Sequence, residues 1–337
     1  MTQRKQRSGT RERLRVLTWH VHGSYLRYLA HAPHDFYVPA KPGEPEGYGG
    51  RAGNDSWPAN VIEVAADEVP GIELDCVLFQ SQRNYLQDQY ELLSEEQRRL
   101  PRVFLEHDPP RESPTDTRHP VDDPETLLVH VTHFNALMWD AGRTPTTVVE
   151  HGVAVPDGVR YSGELERGLV VVNHLARRGR RLGLDVFEQV RRRIPLDLVG
   201  MESEKLGGLG EIAHDELPAF AARYRFLFNP IRYTSLGLAV CEAMLLGLPV
   251  VALATTEYTT AIENGVSGYA STNVSALAER MLALLADPEE ARRLGDGARR
   301  RAQVRFSIDR FARDWDGTLR RAVALRARVL PKVEAAA

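Results

Sequence analysis

Lysine is scarce in this 337-residue chain: only Lys5, Lys41, Lys205 and Lys332 occur, so 39 of the 43 basic residues are arginine. Such a bias follows genomic base composition, and an arginine carries weight here only where its position singles it out. Cysteine is scarcer still. Cys76 and Cys241 lie far apart, which excludes a disulfide framework and a CxxC metal knuckle. Charge of one sign is not in excess: 43 basic residues face 46 acidic ones, for a net charge of −3. No global basic field argues for nucleic acid. No run approaches the roughly 18 apolar residues of a membrane span. Residues 1–15 are polar and arginine-rich, without the apolar stretch of a signal peptide. A cytoplasmic protein is the expectation.

What is present fits a folded protein. Hydrophobic residues make up 43% and charged residues 26%, which excludes a wholly disordered, collagenous or coiled-coil chain. At roughly 100–200 residues per domain, the length suggests two domains.

Short apolar runs alternate with helical patterns. In the first half, strands are expected at residues 14–19, 35–38, 61–64, 75–80, 102–106, 127–131 and 147–149, with a helix at 24–32. Residues 41–58 are rich in glycine and proline and read as a long mobile loop. Residues 107–124 carry five prolines and read as a second irregular stretch. The pattern pauses around residues 156–168, where a linker is placed. A second series follows: strands at 169–172, 197–200, 226–228 and 250–254, with helices at 185–193, 215–223, 238–246 and 258–264. The tail reads as helices 275–285, 288–306 and 308–329. Alternation of this kind means parallel sheets covered by helices. The expected fold is α/β: two Rossmann-like domains, residues 1–156 and 157–307, with a helix from about 308 to 337 returning to the first. Ligands in such sheets bind at the carboxyl ends of the strands, here in the cleft between the halves.

The sharpest segment is residues 229–268, NPIRYTSLGLAVCEAMLLGLPVVALATTEYTTAIENGVSG. An apolar strand leads into the turn Thr234-Ser235-Leu236-Gly237, and a helix starts at Leu238. Glycine lets backbone approach a ligand, and free N–H groups at a helix start favour an anion. Glu242 lies about one turn into that helix among apolar residues. Burying it unpaired is costly, and a ribose diol would supply donors. The bland alternative is a glutamate that complements the helix dipole.

This stretch resembles the donor-site signature of the group 1, family 4-like retaining glycosyltransferases of GT-B fold. Ser235, Gly237, Glu242, Ala243, Gly247, Pro249, Val250 and Val251 match it in order, and Gly265 and Gly268 match the glycines of the following turn. Two positions depart. Thr234 stands where the family has a glutamate that contacts the donor sugar. Thr260 stands at a second acidic position, with Glu257 nearby but out of register.

The resemblance implies transfer of a sugar from a nucleotide-diphosphate donor to a hydroxyl acceptor, with retention of configuration. It assigns donor binding to Thr234, Ser235, Leu236, Gly237, Leu238 and Glu242. In residues 170–187, VVVNHLARRGRRLGLDVF, His174 stands at the place of a phosphate-binding arginine. Arg178, before Gly179, stands at that of a lysine in a loop one residue shorter, with Arg177 sharing the task. Arginine suits diphosphate oxygens through paired hydrogen bonds. Otherwise these are solvated arginines, and Asp185 is a helix cap. Gly210, Glu211 and Ile212 are candidates for the wall that holds the nucleobase.

In the first half, Gly23 and Ser24 follow the first strand and could offer N–H groups to phosphate. His107, after the strand at 102–106, is a candidate to bond a sugar hydroxyl or orient the acceptor. His133 also lies at a strand end, and His151 reads as a linker turn residue. Trp315, Leu319 and Ala322 should face inward on the last helix. Arg320, Arg321, Arg326 and Arg328 form a basic face which, with the first fifteen residues, could touch the inner face of a membrane. No Asp-x-Asp motif is read in the chain, so no divalent cation is expected, nor any other cofactor. The acceptor reads as an unknown sugar, lipid-linked or other hydroxyl compound, and nucleic acid is not a partner. The alternatives are a catalytically impaired nucleotide-sugar-binding or partner protein and, further off, a nucleotide-sugar epimerase. A pyridoxal-dependent phosphorylase is disfavoured, because neither Lys205 nor Lys332 has a suggestive setting.

Overall fold

The computed structural model describes residues 12–21, 23–52 and 57–329, the last four by their backbone alone. Seven strands form the first sheet: β1 (Arg15–Thr18), β2 (Asp35–Ala40), β3 (Val61–Ala65), β4 (Cys76–Phe79), β5 (Arg102–Glu106), β6 (Thr126–His130) and β7 (Thr146–Val148). All pairings are parallel, in the order β3-β2-β1-β4-β5-β6-β7. The central strands read CVLF, RVFLE and TLLVH, and their middles are fully buried, as parallel sheets covered on both faces require. Helices α1 (Gly23–Leu29), α2 (Gln89–Leu92) and α3 (His133–Met138) cover this sheet. The Thr132 hydroxyl caps α3 by accepting from the Asn135 N–H.

The second sheet has five parallel strands: β8 (Leu165–Val171), β9 (Leu196–Val199), β10 (Tyr224–Asn229), β11 (Val250–Leu253) and β12 (Gly268–Ser271), ordered β12-β11-β10-β8-β9. Around it lie α4 (Leu175–Arg178), α5 (Leu184–Val190), α6 (Leu217–Ala221), α7 (Leu238–Leu246), α8 (Tyr258–Ala261), α9 (Val274–Ala286) and α10 (Pro288–Arg305). Pro288 occupies the first turn of α10, and the Asp287 side chain accepts from the Glu289 and Glu290 N–H groups. Two α/β sheets joined in one chain are the GT-B architecture expected from the sequence.

The last helix, α11 (Ile308–Val329), lies against α1, β4 and β5 of the first sheet. Trp315, Leu319 and Ala322 are buried, and the Trp315 indole donates to the Tyr25 hydroxyl at 3.1 Å. Of the basic face, Arg320 pairs with Asp316 at 2.7 Å and Arg321 is exposed. The Arg326 and Arg328 side chains, and the arm through residue 11, fall outside the described residues. No described helix is long and apolar enough to cross a membrane.

Several expectations are corrected. Residues 41–58 are not a free loop where described. Gly47 and Gly49 bridge to His20 and Ala40, Tyr48 and Trp57 are buried, and the Trp57 indole donates to the Arg51 carbonyl at 2.7 Å. Strand β8 starts at Leu165, inside the expected linker. Its polar first turn is held by β10 and by Arg167, which pairs with Asp197 at 2.6 Å. Strand β12 was not foreseen, because GYAS has no β-branched run and lies half-buried at the sheet edge.

Candidate functional site

Helix α7 supplies the centre of the site. It follows β10 through the turn 230–237 and opens toward the first domain. Gly237 is its N-cap, with ordinary backbone angles of φ −70° and ψ 135°. A Cβ at Gly237 would approach nothing nearer than the Tyr258 hydroxyl at 3.7 Å. The chain itself therefore does not demand glycine there, and the space in front of it stays open. The Gly237 N–H donates to the Tyr258 hydroxyl at 3.4 Å. The next N–H groups, of Leu238 and Ala239, have no partner within the helix.

Gly237, Leu238, Ala239 and Glu242 line a cavity of about 360 Å³ between the two domains. Ile212 and His214 line another wall, and Ser24, next to Gly23, closes it from the first domain. Asn173, Gly200 and Met201 complete it at the ends of β8 and β9. Gly200 has φ 126°, and a Cβ there would fall 2.8 Å from the Val172 carbonyl oxygen, so only glycine fits.

The carboxylate of Glu242 already has one protein partner, which sequence reasoning missed. The Tyr28 hydroxyl, on α1 of the first domain, donates to Glu242 Oε1 at 2.7 Å. Desolvation raises the Glu242 carboxyl above its ordinary value, while Tyr28 and His214 oppose the rise. Nothing in the spacing of Tyr28 and Glu242, 214 residues apart, announces the contact.

The basic segment differs from its expected layout. Two short helical turns, Leu175–Arg178 and Gly179–Leu182, separate β8 from α5. The glycine that starts α5 is Gly183, whose Cβ would meet the Pro230 carbonyl oxygen at 1.9 Å. Asp185 is not a cap: it binds Arg180 and Arg232. Arg181, not singled out in the sequence, lies near Arg178. Partial desolvation and the Arg111 guanidinium, from the first domain, lower both Arg178 and Arg181 below their ordinary values, and Asp108 counteracts. Neither side chain has a hydrogen-bonded carboxylate among the described residues, whereas Arg111 pairs with Asp108. Arg177 is exposed beside them.

His174 sits in the left-handed region at φ 56°, and its Nδ1 lies 3.4 Å from Glu202 Oε2. The ring is thus turned to a carboxylate of its own domain. Lys205 and His174 hold that carboxyl below its ordinary value.

The turn 234–237 joins the two domains. Thr234 is half-buried, and its hydroxyl has no partner among the described residues. Ser235 is buried, and its hydroxyl donates to the His107 carbonyl at 2.7 Å. Leu236 is buried against the first domain, beside His151. Far from an open linker turn, His151 is enclosed, and burial pushes its imidazole down to about 4. His107 packs edge-on against Tyr25 at 4.8 Å and lies 3.4 Å from the Gln80 side-chain oxygen. His133 is exposed at the start of α3.

Glu257 proves to be a clamp between domains. It accepts from the Phe134 N–H at 3.0 Å and from Arg305 at 2.6 Å, and Arg305 also binds Glu150. Thr260 donates to the same carboxylate at 2.5 Å. No group of three or more His, Cys, Asp or Glu able to hold a metal occurs among the described residues. Asp314-Trp315-Asp316 does have the Asp-x-Asp spacing, contrary to the sequence reading. It lies on α11, with Asp314 bound to Arg310 and Asp316 to Arg320 and His34.

Known proteins share the fold that builds this geometry. Residues 166–287 match the family model "Glycosyl transferases group 1". Sucrose-phosphate synthase from Thermosynechococcus elongatus superposes with a TM-score of 0.68 at 16% identity, over 93% of this chain and all of that one. Anabaena HepE in complex with UDP and glucose gives 0.65 at 16%, over 92% of this chain and 100% of that chain. A glycosyltransferase from Rickettsia africae gives 0.63 at 13%, over 93% and 99%. No curated protein sequence matches. The fold is GT-B, and the stretch similar to the group 1 glycosyltransferase family model, residues 166–287, lies in the second domain.

Proposed function

We propose that the protein transfers a glycosyl unit from a nucleoside-diphosphate sugar to an acceptor hydroxyl, with retention at the anomeric carbon and without a metal ion. The observation that carries this reading is the 360 Å³ cavity, where the start of α7, Glu242 and the β8 and β9 ends meet the first domain. The second oxygen of Glu242 has no partner among the described residues and would take a ribose hydroxyl. The N–H groups of Leu238 and Ala239, with Arg178, Arg181 and Arg177, would face the diphosphate. The chemical difficulty is charge that develops on the leaving diphosphate, and fixed positive groups answer it without reorganisation. Thr234 to Leu236 and His107 would border the sugar. Contact between the domains around it excludes water and limits donor hydrolysis. HepE has been crystallised with UDP-glucose, which makes UDP-sugars the first donors to try. Retention rests on the resemblance of residues 235–251 alone.

The test is turnover of UDP-glucose, GDP-mannose and ADP-glucose with mixed sugar acceptors. Nucleoside-diphosphate release should persist in EDTA, and proton NMR of the product should show the donor's anomeric configuration. Loss of turnover in EDTA or an inverted anomer contradicts the respective part of the proposal. One observation favours a binding protein instead: His174, at the phosphate-binding position, is occupied by Glu202. Nucleotide binding with no turnover on any donor would decide for that reading.

A further inference from the structure

A second cavity, of about 570 Å³, opens at the carboxyl ends of β4 and β5. His107 lines it, and the His107 carbonyl accepts from Ser235 of the turn whose Gly237 lines the first cavity, so one turn is tied to both. Its charged lining is Glu46, Glu106, Asp108, Glu112, Arg111 and Arg118. Both guanidiniums are already committed, Arg111 to Asp108 and Arg118 to Asp122. Glu106 pairs with the buried His119 at 3.1 Å. Glu46 and Glu112 are exposed and have no partner among the described residues. The Gln82 amide has no partner among the described residues, and the Trp139 indole, held by a 2.8 Å bond from its N–H to the Asp108 carbonyl, gives an apolar wall.

From this lining we infer that the cavity takes the acceptor, and that the acceptor is a carbohydrate without negative charge, neutral or amino-bearing. This rests on the proposed transferase reading. Among the described residues, an anionic sugar or a phosphate would find no uncommitted cation in this lining, since the unpaired Arg178 and Arg181 behind Arg111 are assigned to the diphosphate, and it would face the two unpartnered carboxylates of Glu46 and Glu112, which costs affinity. A sugar ring suits the mixture instead: hydroxyls bond to carboxylate and amide groups, and the C–H face lies on the indole. An alkyl chain would leave the polar lining unpaired.

The test is saturation-transfer NMR and calorimetry on the full chain. The probes are methyl hexosides of gluco, galacto and manno configuration, their 2-amino counterparts and their uronates, each with and without UDP. The amino sugars should bind on the order of tenfold tighter than the matching uronates, with the neutral sugars between. Glu112→Arg, at an exposed position, should reverse that order. Trp139→Ala, with its fold checked by circular dichroism, should weaken all three classes. A uronate preference in the wild type, or an unchanged order in Glu112→Arg, overturns the inference. If no hexoside binds while a nucleoside diphosphate still raises the melting temperature, this inference fails and the donor site stands. If neither binds, the transferase reading fails with it.

Discussion

Replacing Arg178 and Arg181 together by alanine is expected to lower kcat for sugar transfer roughly 100-fold to 1,000-fold, the scale seen when a preorganised donor to developing charge is removed. The reason lies in their unrelieved charge. Arg111 approaches both from the other domain, and neither holds a carboxylate of its own. Such crowding costs the empty protein stability, and a diphosphate would turn the cost into binding. The double variant should therefore melt no lower than the wild type. Steady-state kinetics and thermal melting on the same preparations check both halves. A kcat within threefold of wild type removes these arginines from the mechanism.

Glu257→Ala should destabilise the protein by about 3 kcal/mol, the lower end for breaking a buried ion pair. The Glu257 side chain is 4% exposed, and its loss strips an acceptor from Arg305, Thr260 and the Phe134 N–H. Glu257→Gln should cost less, because its amide oxygen can still accept from Phe134. Denaturant unfolding measures the difference. Since Glu257 touches neither cavity, nucleotide affinity of the folded variant should stay near that of wild type. A variant that keeps full stability and loses turnover would instead place Glu257 at the reacting centre.

The α/β alternation was legible because β4, β6, β10 and β11 are short apolar runs and because caps mark the helices: Asp287 with Pro288 gives the start of α10 outright. Helix α7 and the turn before it were legible for the same reason, with Gly237 and Glu242 in one cavity as their spacing suggested. Asp185 was misread as the cap of α5 because it stands at the expected start of the helix, whereas the helix begins one residue earlier after Gly183, which contact with Pro230 holds as a glycine. That contact comes from another element, so no local pattern encodes it. The same holds for Tyr28 on Glu242, Arg111 beside Arg178 and Arg181, and Phe134 on Glu257. Each joins the two domains, and the pairing of domains leaves no periodicity in either segment.

The central claim is that Glu242 sits in a nucleotide-diphosphate site. The most direct test is a metal-free thermal-shift and calorimetric titration of wild type and Glu242→Ala with UDP, GDP and ADP. The account predicts that one of them raises the wild-type melting temperature and that the variant loses most of that rise, because ligand stabilisation falls with affinity. Tyr28→Phe, which frees the carboxylate but keeps it, should retain binding. An equal rise in wild type and Glu242→Ala, or no rise with any nucleotide, would contradict the donor site built on α7.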